Sequence, residues 1–389
     1  MIQQHSKKHQ YQFHLWFPEL FNSTGGIQRY SSFCFQAFQN LYPNFTYDVL
    51  IKHDTDIPSK SSNLCFHTTG NWPLSIRTPA FAAQLLSLGV WQHPNLVFTT
   101  HPNFSIVADQ LKKLTGLPYW TVAHGIDAWN ITNHRLKTAL HNADRILAVS
   151  HYTRDRLLRE QNLDPDKVVV LPNTFDAENF QIAPKPNYLL KRYSLNPQQP
   201  IILTVARLSQ SEQYKGYDKI LAALSQIRQT IPHVHYVLVG KGDDEPRIKQ
   251  LISQYQLQDC VTLTGFVPDE ELSSYYHMCD VFAMPSKSEG FGIVYLEALA
   301  CGKPTLAGNQ DGAQDALCQG ELGVLVDPDD IEAIAQAIIQ ILQGTHSNSI
   351  LYQPEVLRQK VIERFGFESF QQTLGNYLEK YLGLSKCVV

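Results

Sequence analysis

No stretch of the 389 residues reaches about 18 apolar positions, so nothing in the sequence reads as a membrane-spanning helix. The first ten residues, MIQQHSKKHQ, lack the apolar centre of a secretory signal. No Cys-x-x-Cys pair occurs, and the seven cysteines are scattered: Cys34, Cys65, Cys260, Cys279, Cys301, Cys318 and Cys387. An odd, dispersed set argues against a disulfide framework and against a zinc site. Reduced thiols in a cytoplasmic protein are the simplest reading. The 15 histidines form no His-Glu-x-x-His segment, and His5 and His9 fall in a polar tail. A basic excess is also missing. The chain has 32 Lys and Arg against 36 Asp and Glu, a net charge of -4, which argues against a dedicated nucleic-acid binder. No fixed-period repeat recurs, so a solenoid is not expected.

What is present is ample apolar material. Hydrophobic residues make up 43% of the chain, with 19 Phe, 18 Tyr and 5 Trp, enough to build real cores in two or three domains. Short apolar runs alternate with helical patterns from end to end. Strands are expected at residues 11–17, 47–51, 96–100, 119–123, 146–149 and 168–171. A second set is expected at 201–205, 236–240, 261–264, 281–284, 304–307 and 323–326. Helices are expected at 217–229, 331–342 and 355–363. This alternation predicts parallel sheets covered on both faces. Residues 176–200 carry Pro184, Pro186, Pro197 and Pro200 with little periodicity and read as a linker. The expected architecture is α/β, with two doubly wound, Rossmann-like domains. Residues 1–185 hold 16 Lys and Arg against 13 Asp and Glu; a mildly basic first half could face an anionic surface, but an incidental imbalance on solvated faces is the favoured reading.

The densest chemical signal is residues 285–304, PSKSEGFGIVYLEALACGKP. A buried strand runs into the loop Ser288-Glu289-Gly290-Phe291-Gly292, and a helix starts near Ile293 and ends before Gly302. That order points free backbone N–H groups at a ligand and suits phosphate. Glu289 and Glu297 flank the turn. A carboxylate repels phosphate but accepts hydrogen bonds from sugar hydroxyls, so the pair suits a nucleotide sugar.

The Glu289-Gly290-Phe291-Gly292…Glu297 segment resembles the signature of family four of the retaining glycosyltransferases, which have the GT-B fold. The resemblance is strongest over residues 117–330. It implies two Rossmann-like domains facing a central cleft. Residues 1–180 would be the acceptor side and 181–365 the nucleotide-sugar donor domain, with a C-terminal helix in 366–389 returning to the first domain. It implies that Arg207, after the strand at 201–205, and Lys215 hold the donor diphosphate. Two cations would offset the charge of the leaving group. The segments Val239-Gly240-Lys241-Gly242 and Gly265-Phe266-Val267 match family positions near the base, and residues 171–176 match a further family segment. Gly240-Lys241-Gly242 lacks the third glycine of a dinucleotide fingerprint, which argues against NAD. In the first half, Ser23-Thr24-Gly25-Gly26-Ile27 resembles the family's glycine loop, and His124, at a strand's carboxyl end, matches a histidine near the donor sugar.

The resemblance thus implies the catalytic set His124, Arg207, Lys215 and Glu289. The implied donor contacts are Gly25, Gly26, Gly240, Val267, Gly290, Phe291, Gly292, Ile293 and Glu297. No cofactor or metal is expected. The implied reaction moves a hexose, with retention, from a UDP- or GDP-sugar to a hydroxyl of a saccharide or lipid-linked saccharide. A polysaccharide or glycoconjugate pathway in the cytoplasm, with peripheral membrane contact through the first domain, would house it. A non-catalytic sugar-nucleotide-binding subunit and a phosphorylase or synthase of the same fold remain open alternatives.

One departure is the segment 308–315, which carries Asp311-Gly312 and no downstream Glu, and residues 209–214 carry no readable donor feature. Asp54-Thr55-Asp56 imitates the metal-binding Asp-x-Asp of another transferase fold. Its acids are expected to be solvated loop residues. Phe35 and Tyr42 lie off the apolar stripe of the first helix, where they could touch lipid. Arg154, Arg156 and Arg159 are expected on a solvated helix face.

Overall fold

The computed structural model of the chain describes residues 11–21 and 25–383. His5, His9, Ser23, Thr24 and Cys387 lie outside them. The chain divides into two compact units, residues 1–149, 153–171 and 371–389, and residues 150–152 and 172–370.

The first unit holds seven parallel strands: β1 (Gln12–Phe17), β2 (Thr46–Ile51), β3 (Leu64–Thr68), β4 (Leu96–Thr99), β5 (Tyr119–Ala123), β6 (Arg145–Ala148) and β7 (Val168–Val170). Their order is β3-β2-β1-β4-β5-β6-β7. The strand order reverses between β1 and β4, the point where ligands enter open α/β sheets at the carboxyl ends. The helix Gly26–Leu41 buries Tyr30, Cys34, Ala37 and Phe38. Phe38 meets Phe13 of β1 and Phe98 of β4 edge-on, at 5.7 and 4.9 Å between ring centres. Phe35 and Tyr42 are occupied within this unit and give no support to lipid contact. Phe35 packs on Phe17 and Phe66, and Tyr42 stacks on Phe45 at 4.7 Å.

The second unit holds six parallel strands: β8 (Ile201–Val205), β9 (His235–Val239), β10 (Val261–Gly265), β11 (Val281–Met284), β12 (Thr305–Gly308) and β13 (Val324–Val326). Their order, β10-β9-β8-β11-β12-β13, repeats the doubly wound pattern, with its reversal between β8 and β11. The C-terminal helix Phe367–Leu382 buries Phe370, Leu374 and Leu378 at four-residue intervals. From residue 371 it belongs to the first unit. There Tyr377 donates to the Val170 carbonyl at 2.8 Å, and Tyr381 meets Trp120 edge-on.

Several expectations need correction. β3 was not anticipated, because its residues LCFHT are all half-buried at a sheet edge and do not alternate. The expected linker contains the helix Asn187–Arg192, which buries Leu189 and Leu190 behind Pro186. Asp54 is no solvated acid: it is fully buried and accepts the N–H groups of Leu20 and Phe21 at 2.8 Å each. Asp56 is exposed. Arg156 does not stand in solvent either. It pairs with Glu160 at 2.6 Å and lies 4.3 Å from the Trp129 ring centre. Arg154 donates to the Val168 carbonyl.

Candidate active site

In the second unit, the residues of interest gather where the strand order reverses. β8 delivers Arg207 from its carboxyl end, and β11 delivers the loop that carries Glu289. Between β8 and the helix Tyr217–Thr230 the chain makes a short 3-10 turn, Gln210–Lys215. The turn is fastened to the β11 loop by the Lys287 N–H, which donates to the Tyr214 carbonyl at 3.0 Å. That bond brings Lys215 within reach of Glu289.

The result is a four-residue charge cluster. Arg207 donates to the Glu212 carboxylate. Lys215 Nζ lies 3.4 Å from the other oxygen of Glu212 and 3.1 Å from Glu289 Oε1. The Lys215–Glu289 contact is an ion pair without hydrogen-bond alignment, since Glu289 Oε1 has no hydrogen-bond donor. The Arg207 side chain is 73% exposed, whereas those of Lys215 and Glu289 are 17% and 15% exposed. Arg207 is therefore the cation most open to an incoming anion. Two cations and two carboxylates balance, so the cluster can exchange an internal carboxylate for the oxygens of a diphosphate.

The Glu289 loop is clamped from beneath. Asp311 is fully buried. It accepts the Glu289 N–H and the Ser286 hydroxyl on one oxygen, each at 2.7 Å, and the Ala313 N–H on the other at 2.9 Å. Burial raises its carboxyl to a pKa of about 6 against the pull of those hydrogen bonds. The Gly312 N–H returns a bond to the Glu289 carbonyl at 2.9 Å. A Cβ on Gly312 would stand 2.1 Å from the Gly290 carbonyl oxygen, so only glycine permits this approach. Ser150 donates to the same Gly290 carbonyl at 2.6 Å. Asp315 accepts the Tyr152 N–H at 2.9 Å. The segment that departs from the family pattern therefore buttresses the loop.

Gly292 begins the helix Ile293–Ala300 with a left-handed backbone, φ 88°. No side chain caps this helix start, and no acid occupies its first turn, so its amides remain suited to an anion. The Phe291 side chain faces inward and meets Phe365 edge-on at 5.4 Å, and Ile293 is also buried. Any ligand contact at Phe291 falls to its backbone. Glu297 is 1% exposed and accepts the Tyr276 hydroxyl at 2.7 Å. The expected ribose acceptor thus sits deeper than the loop glutamate. Gly240 and Val267 come together with their segments, since the Gly240 N–H donates to the Gly265 carbonyl at 3.0 Å. Val267 is buried, while Phe266 is exposed beneath the Lys241 ammonium, 4.8 Å from its ring centre.

In the first unit, the carboxyl ends of β1, β4 and β5 gather the helix start at Gly25 and Gly26, Thr100 and His124. Gly25 caps the helix Gly26–Leu41, again with no side-chain cap and no acid in the first turn. His124 Nε2 donates to the Thr100 carbonyl at 2.8 Å, because that oxygen can only accept. Its backbone N–H donates to Asp127 Oδ1 at 3.0 Å. The Tyr30 ring meets the imidazole edge-on at 5.1 Å. Burial lowers the His124 pKa to about 4, although its bond to Thr100 opposes the shift. The ring is neutral at physiological pH and keeps Nδ1 as an acceptor. It follows that His124 adds no inflection to a rate profile between pH 5 and 8. An inflection in that window that disappears in His124→Ala would contradict this assignment.

Glu212, Ser150 and Tyr276 escaped the sequence reading, and Asp311 entered it only as a departure from the family pattern. Glu212 offered one signal, its position three residues before Lys215 in a turn. The others act across long sequence separations that no local pattern reports.

Two family models match the chain. One, described as glycosyl transferases group 1, matches residues 189–353. The other, glycosyltransferase family 4, matches residues 58–179. The chain is similar to a GDP-mannose-dependent alpha-(1-6)-phosphatidylinositol monomannoside mannosyltransferase of Mycolicibacterium smegmatis. The two are 34% identical over 212 residues, 52% of this chain and 53% of the relative. The chain therefore matches about half the length of such relatives. It is also similar to an alpha-maltose-1-phosphate synthase of the same species, 28% identical over 313 residues, 72% of this chain and 78% of the relative. Among solved structures, a sucrose-phosphate synthase from Thermosynechococcus elongatus shares the fold. It superposes with a TM-score of 0.77 at 23% identity, covering 97% of this chain and all of that one. The two Rossmann-like sheets, the charge cluster at the second unit's strand reversal and the two family matches agree: the chain belongs to glycosyltransferase family four and has the GT-B fold.

Proposed function

We propose that the chain is a retaining hexosyltransferase. It takes a hexose from a nucleoside diphosphate sugar and passes it to a hydroxyl of a saccharide or lipid-linked saccharide, in polysaccharide or glycoconjugate synthesis in the cytoplasm. The observation that carries this reading is the cluster Arg207–Glu212–Lys215–Glu289. It sets two cations and a sugar-hydroxyl acceptor side by side at the strand reversal. Similarity to a GDP-mannose-dependent enzyme makes GDP-hexoses the donors to try first, with UDP-hexoses next.

In the proposed reaction, the bond from the anomeric carbon to the diphosphate breaks as the bond to the acceptor oxygen forms on the same face. The acceptor proton passes to the departing phosphate. Arg207, Lys215 and the amides at the start of the helix Ile293–Ala300 stabilise the charge that develops there. Glu289 orients the hexose through its hydroxyls, Glu297 serves the ribose, and His124 accepts from the sugar with its neutral ring. Peripheral contact with a membrane would suit a lipid-linked acceptor. No helix among the described residues is long and apolar enough to cross one. A thermal-shift screen over nucleoside diphosphates, followed by nucleotide-release assays with the matching sugars, tests the reading. Stabilisation by no nucleotide would remove it.

Transfer is further proposed to need no divalent metal, since fixed cations and amides offset the leaving group. Activity should persist in excess EDTA and in Asp56→Ala. Chelation that abolishes transfer, with manganese or magnesium restoring it, would contradict this. Asp54 is a poor probe. Its replacement releases the buried Leu20 amide and the part-buried Phe21 amide, and the first alone costs about 1–3 kcal/mol that owes nothing to a metal.

A further inference from the structure

A second cluster lies in the first unit, on the three strands β1, β2 and β3. His14, Asp48 and Cys65 are aligned partners across these strands and so share one face of the sheet. His67, two residues beyond Cys65, shares that face. One oxygen of Asp48, Cys65 Sγ and one His67 ring nitrogen all lie within 4.8 Å of one another. Asp48 is 4% exposed, no Lys or Arg pairs with it among the described residues, and one of its oxygens lies 2.8 Å from His67 Nε2. Buried carboxylates are ordinarily paired with a cation or bound to a metal. Here the remaining contacts are neutral amides. Gln12 donates to one carboxylate oxygen at 2.9 Å, and Gln92 donates to the other at 3.2 Å.

From this arrangement we infer a zinc-class metal site formed by Asp48, Cys65 and His67. Oxygen, sulfur and nitrogen donors together suit a borderline metal that prefers four tetrahedral ligands. Metal–ligand bonds of about 2.0–2.3 Å place neighbouring ligand atoms roughly 3.3–3.8 Å apart. To bind an ion, the 2.8 Å His67–Asp48 contact would open and Cys65 Sγ, within 4.8 Å of both, would settle at that spacing. Water fills the fourth position. Gln12 and Gln92 act as the outer partners that fix the carboxylate. Gln92 Oε1 also accepts from His14 Nε2 at 2.6 Å, and the fully buried His14 Nδ1 has no hydrogen-bond partner. This leaves one more unused donor atom in the same layer. The half-exposed edge strand β3 gives the ion a way in. The sequence expectation of no zinc site rested on an odd, scattered set of cysteines without a Cys-x-x-Cys pair. Ligands spread over two strands escape such patterns.

The site lies apart in sequence from every residue assigned to sugar transfer, and its test does not depend on activity. The full chain is stripped with chelator, given one equivalent of zinc, desalted and assayed for metal. The expected results are one zinc per chain and a higher melting temperature. Cobalt in place of zinc should give a thiolate-to-cobalt charge-transfer band. Cys65→Ser should lose that band, and Cys65→Ser and His67→Gln should each weaken zinc binding at least about 10-fold. Cys318→Ser, which alters the other half-exposed thiol among the described residues, should leave binding unchanged. Both replacements in the cluster are close in shape to the native residue, and circular dichroism reports whether each variant is folded. The inference is overturned if wild type retains no zinc, or if the folded Cys65→Ser, His67→Gln double variant binds it as tightly as wild type.

Discussion

Arg207→Ala should lower the turnover rate by roughly 10²-fold or more, the usual effect of removing one fixed donor to a developing charge. Lys215→Ala should do at least as much, but the two variants differ in what they leave behind. Arg207 is largely exposed, so its loss removes one partner of Glu212 and little packing. Lys215 stands between Glu212 and Glu289. Its loss sets two carboxylates against each other without the cation that separates them, which adds a stability cost to the kinetic one. Arg207→Ala is therefore the cleaner probe, with steady-state kinetics read beside a melting curve. Wild-type turnover in both variants would remove the diphosphate clamp from the account.

Glu289 and Glu297 should part company when each is changed. Glu289→Ala is expected to cut turnover roughly 10²-fold while nucleoside diphosphate affinity stays close to wild type, if its proposed partner is the transferred hexose. Glu297 should govern nucleotide affinity. Its burial dictates the variant to use. Glu297→Ala also removes the acceptor to which the Tyr276 hydroxyl donates, at a cost of about 1–3 kcal/mol in stability. Glu297→Gln keeps an acceptor oxygen there and isolates the loss of charge. Calorimetric titration of the diphosphate into Glu289→Ala and Glu297→Gln, with turnover measured alongside, separates the roles. Equal loss of affinity in both variants would contradict the division.

The sheets were legible because parallel strands buried on both faces write themselves as short apolar runs. The expected ranges 119–123, 201–205 and 281–284 coincide with β5, β8 and β11. β3 was lost because an edge strand is half-wet and its Cys65, Phe66, His67 and Thr68 follow no apolar alternation. The helix Asn187–Arg192 was hidden by the prolines around it, although Pro186 in fact stands at its N-cap position. At the site, Arg207 and Lys215 were named through the family resemblance that the Glu289 segment carries, and the structure brings the three together around Glu212. Glu212 itself was not found, because its importance lies in bridging Arg207 and Lys215 in space. Asp311 was read as a departure from the family pattern, yet it holds the Glu289 amide from a distance of 22 residues. Such a buried clamp leaves no local trace in sequence.

The central claim is that the second unit holds a nucleoside diphosphate on Arg207 and Lys215 without help from a metal. Calorimetric titration of GDP and UDP into the full chain in EDTA tests it most directly. The account predicts one site per chain for at least one of the two, weakened at least about 10-fold in Arg207→Ala through loss of a charge-assisted hydrogen bond. Failure of both nucleotides to bind, or equal affinity in wild type, Arg207→Ala and Lys215→Ala, would contradict it.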